Sequence, residues 1–468
     1  MVPSLPCYIQ CSTANGVMTD ITPTDMYYAC FAKMEWDSNG NGSYGEISDS
    51  VSLEQDIYVT RLLVGNRQDV EETTSRIILY EKGGNTTNGN NKLLMCGNKL
   101  KVYFDNNGQT ISDAQLYGDS LFLNYITPYW NGTRIRFYDT GTDFNGGANY
   151  SLNASNLQLE LSKGYTFSFM DTHGEKIGWW LEDGFYSSNQ ALMLTNQISM
   201  NHDNVGTTQI ITSSCLTNAF DHTNLCLSYA FMKNSNSGVL SYTGCSREGF
   251  YYGGQRYLGP SDNYNAKFFH FLFTNGTKNY GKIVAAAKSY YMSSCGYYGS
   301  YRWIQFGLNP IGDPEMPIFV NPPIYMNNVA VTYQNGQLNI NADTDSCTIC
   351  VTSRDDCGMT FYETISDVSQ VSLTLPFNTY NICVSKPGYA PYLMTFSNDH
   401  FIQNETFDGV TRIVADSVNI GSDVTTLRPQ GPVIVNNGET SITTADGVMI
   451  KNDFEVKNGA VFSIEIDN

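Results

Sequence analysis

The chain has 468 residues, 41% of them hydrophobic and only 15% charged, so it is long enough to bury two or three separate cores. Its formal net charge of −19 argues against nucleic-acid binding through a basic face, and no stretch supplies the roughly 20 apolar residues of a membrane-spanning helix. Abundant Gly, Asn, Ser and Thr favour a β-rich protein with many turns over a helical bundle.

The first motif along the chain is the loop DSNGNGSYGE at residues 37–46. Asp37, Asn39 and Asn41 stand at positions 1, 3 and 5, with glycine at position 6, as at the start of an EF-hand-type calcium loop. Position 12 is Ser48 instead of glutamate, and Asn/Gly-rich turns produce such strings by chance. The alternatives are therefore a plain turn and a structural calcium site that takes no part in chemistry.

Residues 1 to about 322 alternate between predicted strands and helices. The predicted strands are IYVTRLLVG (57–65), KLKVYF (99–104), the two described in the next paragraph, and GVLSYTG (238–244). The predicted helices are QDVEETTSRIILYEK (68–82), AKFFHFLFTN (266–275) and KIVAAAKSYYMSS (282–294). This alternation predicts an α/β domain whose mostly parallel sheet is flanked by helices.

Two short apolar strands of this region each end in a reactive side chain. GYTFSFMDTHG (164–174) delivers His173 and then Gly174, and TTQIITSSC (207–215) delivers Cys215. A thiol with a pKa near ~8.5 is mostly protonated at neutral pH, so it needs a base beside it to act as a nucleophile. A glycine lets a backbone N–H face a substrate carbonyl. The pattern predicts cysteine nucleophilic catalysis, with His173 as the base.

The composition changes after the segment GDPEMPIFVNPP (312–323), whose four prolines interrupt any regular element. From 323 to 396 short alternating strands predict a β-sandwich. From 397 to 468 still shorter strands, divided by Gly and Asn, predict a small all-β module such as a solenoid. We therefore predict three domains, at 1–322, 323–396 and 397–468.

Nine short motifs in order resemble the gingipain-type cysteine peptidases, peptidase family C25, which are related to caspases and legumain. They extend from about residue 17 to 322 and are TDMYYACF, DIYVTRLLVGN, IILYEK, SDAQ, THG, SSCLTNAF, CLSYAFMK, GVLSYTG and GDPEMP. The resemblance implies a caspase–hemoglobinase-like fold followed by an immunoglobulin-like β-sandwich. It also implies that an N-terminal subdomain present in relatives is missing before MVPSLPCYIQ.

The resemblance further implies a catalytic dyad of Cys215 and His173. The backbone N–H groups of Gly174 and Cys215 would form the oxyanion hole, and the reaction would pass through a thioester acyl-enzyme. The region that matches the carboxylate supporting the histidine in some relatives, CGNKLKVYF, offers lysines instead. The third member of a triad is therefore left open.

Substrate specificity is suggested by two further positions. Asp113, in SDAQ, falls where arginine-specific relatives carry the acidic residue that binds a basic P1 side chain, and Phe250 falls where they carry an aromatic lining the S1 pocket. The alternative for SDAQ is a helix N-cap, with Ser112 or Asp113 capping the following run. Arg247 and Glu248 do not belong to the pattern, so basic P1 specificity stays open.

The predicted function is that of a secreted or cell-surface bacterial cysteine endopeptidase that hydrolyses proteins or peptides, with a preference for a basic P1 residue as an open point. The chemistry requires no cofactor, and calcium would be structural. The alternative is a surface adhesin or binding protein that retains an inactive peptidase-like domain, since the C-terminal β modules also suit adhesion or contact with an export machinery. No signal peptide is visible in the sequence.

Overall fold

The computed structural model describes residues 3–83, 91–98, 100, 102–104, 110–138, 150–181, 184–192, 209–221, 225–234, 238–252, 259–296, 299–326, 328–334, 337–355, 358–375, 379–426 and 428–466. The chain divides into two compact units. The first comprises Met1–Ile77, Thr87–Met200 and Val205–Asn321, and the second comprises Ile78–Thr86, Asn201–Asn204 and Pro322–Asn468.

The first unit is built on a central sheet. The strands of the first unit, inside and outside that sheet, are β1 (Leu5–Thr13), β2 (Gly16–Thr24), β3 (Lys92–Gly97), β4 (Val102–Phe104), β5 (Thr110–Ser112), β6 (Thr133–Tyr138), β7 (Tyr150–Ser151), β8 (Phe167–Asp171), β9 (Gly174–Glu175), β10 (Gly178–Leu181), β11 (Gly184–Ser187), β12 (Gln209–Thr212), β13 (Ser241–Cys245) and β14 (Leu308–Ile311). Seven of them form the sheet β14-β13-β12-β8-β3-β6-β7. All neighbours in it are parallel except β13 and β14. The predicted mostly parallel sheet is confirmed.

Helices cover this sheet. In chain order the helices are α1 (Met26–Ala29), α2 (Arg67–Glu81), α3 (Asp113–Leu121), α4 (Ala154–Leu161), α5 (Ser188–Leu192), α6 (Leu227–Lys233), α7 (Pro260–Phe269), α8 (Tyr280–Tyr290) and α9 (Ser300–Gly307). The α3 and α7 helices each continue into a π-helical turn, Phe122–Ile126 and His270–Thr274. No helix in the described part of the chain is long and apolar enough to cross a membrane.

The central strands are buried on both faces. Every residue of β8, β12 and β13 is buried, which explains their nearly continuous apolar sequences, because a parallel sheet is covered by helices on both sides. One face packs in a cluster that includes Leu94, Met170 and Ile210. On the other face Phe169 contacts the aromatic rings of Tyr117 in α3 and Phe269 in α7.

The N-terminal hairpin of β1 and β2 packs on α9 rather than joining the central sheet. Its buried side chains include Cys7 and Ile9, which share a core with Trp36 and Trp303. Burial of each large apolar side chain contributes roughly 1.5–3 kcal/mol, which fixes the hairpin to the domain.

One predicted strand is wrong. Residues 57–65 form no strand, and Arg61 makes only an isolated bridge to Ile311. The Arg61 guanidinium donates two hydrogen bonds to the buried Asp25 carboxylate, and Thr60 Oγ1 donates to the Gly312 carbonyl at 2.6 Å. These side-chain contacts fix the segment in an irregular path. Its β-branched residues led to the strand prediction, but such residues indicate only that a segment fits a half-buried surface.

Among its described residues, the second unit is all-β apart from residues 78–83. Its strands are β15 (Ile324–Tyr325), β16 (Val329–Gln334), β17 (Gln337–Ala342), β18 (Cys347–Asp355), β19 (Gly358–Val368), β20 (Gln370–Thr374), β21 (Tyr380–Ser385), β22 (Tyr389–Ala390), β23 (Tyr392–Ile402), β24 (Glu405–Phe407), β25 (Val410–Ile420), β26 (Val433–Val435), β27 (Glu439–Ile450), β28 (Phe454–Val456) and β29 (Val461–Ile466). The larger sheets are β16-β17-β20, β19-β18-β21-β23-β25-β27-β29 and β24-β26-β28.

Two packing arrangements follow each other in this unit. The sheet β16-β17-β20 and the strands β18 and β21 share a core that includes Leu338, Val351 and Ile382. Farther along, β23, β25, β27 and β29 are parallel neighbours, as are β24, β26 and β28, and they enclose a second core. Because β23 runs through residues 396 and 397, one sheet continues across the boundary predicted there. The division into two domains and the immunoglobulin-like assignment stay predictions.

Candidate active site

The two reactive side chains follow neighbouring strands at matching positions. The β8 and β12 strands are parallel and paired, with Met170 opposite Thr212. His173 comes three residues after Met170, and Cys215 comes three residues after Thr212. The structure therefore brings both segments to the carboxyl edge of the sheet, which is where functional residues of parallel α/β sheets gather.

Gly174 lies against the turn that carries Cys215. A Cβ atom at position 174 would lie 2.5 Å from the Cys215 carbonyl oxygen and 2.8 Å from both Ser214 Cβ and Thr217 Cγ2. Only glycine fits this approach, because such distances are far shorter than ordinary contacts of a Cβ atom. The two segments whose N–H groups were predicted to form the oxyanion hole are thus in direct contact.

The turn after β12 holds an uncommon backbone conformation. Leu216 has φ of 61°, a left-handed value that costs energy for a bulky side chain. The Leu216 N–H donates to the Arg247 carbonyl at 3.0 Å, and Thr212 Oγ1 accepts a hydrogen bond from the Ser214 N–H at 3.0 Å. These bonds hold the turn in place, so the Cys215 side chain stands at a fixed, tight bend.

The Cys215 thiol is half-buried beside one backbone donor. The Gly249 N–H donates to Cys215 Sγ at 3.2 Å, and the Gly249 carbonyl lies 4.0 Å from the sulfur. Burial raises the pKa of Cys215; the Gly249 hydrogen bond lowers it, and the nearby Glu248 and Asp171 carboxyls raise it further. The thiol is therefore neutral at neutral pH and must give up its proton to a base before it can attack a carbonyl.

His173 is exposed, and its backbone is fixed by the Trp180 N–H, which donates to the His173 carbonyl at 2.9 Å. The imidazole makes no hydrogen bond to any of the residues that the structure describes. Catalytic hydrogen bonds are often long in a free enzyme and shorten when substrate binds. The lysines that replace a supporting carboxylate in the sequence, Lys99 and Lys101, lie outside the described residues.

Both roles weighed for SDAQ find support at different residues. Ser112 Oγ accepts a hydrogen bond from the Gln115 N–H at 3.1 Å and so caps α3. Asp113 is buried, and its Oδ1 accepts from the N–H groups of Leu100 and Ala114, each at 3.0 Å. The capping role therefore belongs to Ser112.

Three of the buried aspartates influence one another's charge, and we call them the acidic cluster: Asp113, Asp171 at the end of β8 and Asp262 in the first turn of α7. Burial, then the Asp262 and Asp113 charges, raise the pKa of Asp171 well above its ordinary value. Burial also raises the pKa of Asp262 to about 7, although hydrogen bonds from Ser213 and from the Gly259 N–H act to lower it. Sequence analysis missed Asp171 and Asp262; the only signal was an aspartate two residues before His173.

One hydrogen bond connects Asp262 of the acidic cluster to the segment before Cys215, and another connects Phe250 to the residue preceding Asp262. Ser213, two residues before Cys215, donates from Oγ to Asp262 Oδ1 at 3.0 Å. The Phe250 N–H donates to Ser261 Oγ at 2.9 Å, so Phe250 lies beside the start of α7. The Phe250 ring packs edge-on against another aromatic ring at 5.4 Å between centroids.

Arg247 is held away from any role as a free cation. Its guanidinium is buried and forms an ion pair with Asp221 at 2.6 Å, and it also donates to the Ile21 carbonyl. The charge is thus neutralised within the domain, and Arg247 braces the segment that leads to Gly249.

The raised pKa of Asp262 predicts how stability depends on pH. The folded protein keeps this proton up to about pH 7, whereas the unfolded chain releases it near 3.8. The stabilising effect is complete below the unfolded pKa and is lost as the pH rises through 7, by about 2–4 kcal/mol. Asp171 acts in the same direction. We expect the free energy of unfolding, measured with urea, to fall between pH 5 and pH 8.

The Asp262→Asn variant should show a smaller fall over the same pH range, because it no longer titrates. Asp119→Asn is the matched control, since Asp119 lies on α3 but pairs with Arg134 at 2.8 Å outside the acidic cluster. An equal fall in wild type and Asp262→Asn would contradict this explanation.

The candidate calcium loop is closed by its own hydrogen bonds. The Asp37 carboxylate accepts from the Asn41 and Gly42 N–H groups at 2.9 and 3.2 Å. The side-chain amides of Asn39 and Asn41 both donate to Glu46 Oε2, at 3.4 and 2.6 Å. In the part of the chain that is described, no three His, Cys, Asp or Glu side chains are grouped closely enough to hold a metal ion.

Comparison with known proteins gives a family match and two structural likenesses. The model of peptidase family C25 matches residues 1–319. The Arg-specific cysteine proteinase gingipain R (RgpB) aligns with a TM-score of 0.56 at 14% identity, over 80% of this chain and 78% of that chain. The complex of Porphyromonas gingivalis RgpB pro- and mature domains aligns with a TM-score of 0.55 at 14% identity, over 80% of each chain. No curated protein sequence matches significantly. At this identity the structural likenesses show a shared fold, a mixed sheet with flanking helices.

Proposed function

The chain belongs to peptidase family C25, and we propose that it is a cysteine endopeptidase whose nucleophile is Cys215 and whose general base is His173. The observation that carries this assignment is the matched position of the two residues beyond the paired strands β8 and β12, together with the close approach of Gly174 to the Cys215 turn. Family membership implies protein substrates.

The reaction would begin with transfer of the Cys215 proton to the His173 imidazole as the sulfur attacks the scissile carbonyl. The N–H groups of Gly174 and Cys215 would donate to the oxyanion of the tetrahedral intermediate. His173 would then protonate the leaving amine, which leaves a thioester on Cys215. Finally His173 would take a proton from water, the hydroxide would displace the sulfur, and the thiol would be restored.

Family membership favours this function over the surface adhesin with an inactive peptidase-like domain. The half-buried thiol at a strained turn supports it as well, because backbone strain at a defined reactive group is typical of functional sites. A merely structural cysteine would need neither the bend at Leu216 nor the close packing of Gly174.

Preference for a basic P1 residue is the finer part of the proposal. Asp113 is buried without being the helix cap, and Phe250 lies beside the start of α7, where Asp262 adds a second carboxyl. A desolvated carboxylate attracts a cationic side chain strongly in a pocket closed to water. Gingipain R, which shares the fold, is an Arg-specific cysteine proteinase, and this likeness supports the same preference here.

The assignment is tested with fluorogenic peptides and with iodoacetamide. We expect turnover of the peptides, inactivation by iodoacetamide, and a single carbamidomethyl group on Cys215 by mass spectrometry of the partly inactivated protein. Protection of Cys215 by a competing peptide would place the thiol in the substrate site. Turnover that persists after complete alkylation of Cys215 would refute the assignment.

The remaining parts of the proposal concern location and the second unit. We propose secretion or surface display, as implied by the family resemblance, with the β-sandwich at 323–396 as an immunoglobulin-like domain and the module at 397–468 as a contact with the cell surface or the export machinery. The acidic net charge supports protein rather than nucleic-acid partners.

We also propose that the loop at 37–49 holds a structural calcium ion. Asp37, Asn39, Asn41 and Glu46 are connected by hydrogen bonds within this loop, and carboxylate and amide oxygens are the ligands that calcium prefers. The buried Asp49 Oδ1 accepts no hydrogen bond from the described residues, so this oxygen is available as a ligand. Glu46 was not among the ligands predicted from the sequence, because only the folding of the loop brings it next to Asn39 and Asn41.

Calcium should raise the thermal stability of the protein. We expect the melting temperature to rise by a few degrees in millimolar calcium relative to EGTA, because an ion that binds only the folded state stabilises it. Asp37→Asn should remove most of the shift, whereas Asp446→Asn, at an exposed position of β27 in the second unit, should keep it. An equal melting temperature in calcium and EGTA would exclude the site.

A further inference from the structure

Asp171 is a buried carboxyl with one oxygen, Oδ1, that accepts no hydrogen bond from the described residues. It ends β8, it is 3% exposed, and its Oδ1 has no hydrogen-bond partner in the described part of the chain. Leaving a buried polar oxygen unpaired destabilises the folded protein, and the effect is larger if the group is charged. A cost of this kind beside a reactive centre indicates that a ligand supplies the missing donor.

The position of Asp171 on the sheet explains how it meets the other two carboxyls. Phe169, two residues earlier and thus on the same face of β8, contacts α3 and α7 through aromatic rings. Asp113 begins α3, and Asp262 lies in the first turn of α7. The carboxyls of Asp113 and Asp262 are therefore near enough to Asp171 to influence its charge. Asp171 itself comes two residues before His173, at the carboxyl edge of the sheet.

The three carboxyls of the acidic cluster differ in how many hydrogen bonds they accept from the protein. Asp113 Oδ1 accepts two backbone hydrogen bonds, and the Asp262 carboxyl accepts from Ser213 Oγ at 3.0 Å and from the Gly259 N–H at 3.3 Å. Asp171 Oδ1 accepts none from the described residues. A cation that entered the cluster would therefore gain most from Asp171, because its oxygen has no competing donor to give up.

We propose that Asp171 is a specificity-determining residue that accepts a hydrogen bond from the cationic side chain of an arginine or lysine at P1. This inference rests on the proposed peptidase function and adds a residue that the family resemblance did not supply. Asp171 would supply the unoccupied acceptor, and the bound cation would favour the ionised forms of the neighbouring carboxyls. The guanidinium has five donors and the ammonium three, so either fits the shared chemistry.

The test compares the kcat/KM of Asp171→Asn and wild type on four peptides that differ only at P1. The P1 residues are arginine, its neutral isostere citrulline, lysine and the neutral norleucine. We expect wild type to prefer arginine over citrulline by about 100-fold or more, and Asp171→Asn to lose roughly 30-fold on arginine or lysine. Turnover of the citrulline and norleucine peptides should change by less than about 2-fold.

Matched measurements separate a specificity role from a structural one. Asp119→Asn removes one carboxylate from α3 outside the cluster and should keep the arginine-to-citrulline ratio. Asp171→Glu, which keeps the charge, should retain part of the preference and gives a second variant if Asp171→Asn does not fold. The rate of Cys215 alkylation by iodoacetamide in the absence of substrate should not fall in the Asp171 variants, because the Asp171 carboxyl raises the pKa of the thiol and its removal does not hinder ionisation.

The outcomes distinguish this inference from the proposed function. An equal loss on charged and neutral peptides would make Asp171 a structural residue and overturn the inference. Turnover by wild type with no preference for arginine or lysine over the neutral residues would overturn the inference and leave the peptidase function intact. Absence of turnover by wild type on every peptide and protein tested would overturn both.

Discussion

Cys215→Ala is expected to lose peptide hydrolysis by at least about 10⁴-fold, with kcat rather than KM carrying the loss. The sulfur forms the covalent thioester in the proposed reaction, and no neighbouring side chain can replace it. Ser213 and Ser214 precede the turn, and their hydroxyls bond to Asp262 and to Thr212 inside the domain. The folded structure should persist, because the Cys215 side chain is half-buried and its replacement by alanine leaves the Gly249 backbone in place.

Cys350→Ala is the matched control for this variant. Cys350 is a free, half-buried thiol like Cys215, but it lies in β18 of the second unit. We expect it to keep full activity and to leave alkylation of Cys215 unchanged. Hydrolysis by Cys215→Ala at a rate near that of wild type would remove Cys215 from the mechanism.

His173→Ala is expected to lose about 10³-fold in kcat/KM at pH 7. Burial raises the pKa of the Cys215 thiol, so very little thiolate exists at neutral pH without a base. The imidazole would normally take this proton during attack. Without it, the reaction depends on the small fraction of Cys215 that ionises by itself.

The pH profile gives this variant a signature that a structural defect would not produce. In His173→Ala the rate should rise about tenfold for each pH unit up to pH 9, since the thiolate fraction rises in that proportion below the raised thiol pKa. Wild type should show a much flatter profile between pH 7 and pH 9. His270→Ala, in the π-helical turn after α7, should behave like wild type and serves as the control.

A His173→Ala variant that is equally slow at pH 7 and pH 9 would contradict the role of His173 as base. It would instead indicate that the imidazole only shapes the site. The pH profile reports whether proton transfer is lost, and the rate of Cys215 alkylation reports whether the surroundings of the thiol have changed.

Those parts of the candidate site that depend on residue types within one short segment could be predicted from the sequence. Buried parallel strands read as continuous apolar runs, so the ends of β8 and β12 could be located before the fold was known. His173 and Cys215 come at those ends, and Ser112 shows the side chain expected of a helix N-cap. The helices at 67–81 and 280–290 likewise follow from composition along one segment.

Other features could not be predicted because they depend on contacts between distant segments. Residues 57–65 have strand composition, yet the bond between Arg61 and the buried Asp25 gives them an irregular path. Asp171 and Asp262 are 91 positions apart along the chain, and neither is part of a recognisable motif. Charged groups influence each other's pKa through space, so only the folded chain reveals them as a pair.

The class of fold, the candidate nucleophile and base, and the helix cap at Ser112 could all be inferred from the amino-acid sequence, since each is carried by residue type and spacing within a short segment. The folded chain was needed to show that His173 and Cys215 follow paired strands at equal distances, and that Gly174 packs against the Cys215 turn. It was also needed to show that the acidic cluster assembles. Strand register and desolvation arise from the packed sheet and its helices, and no single segment contains either.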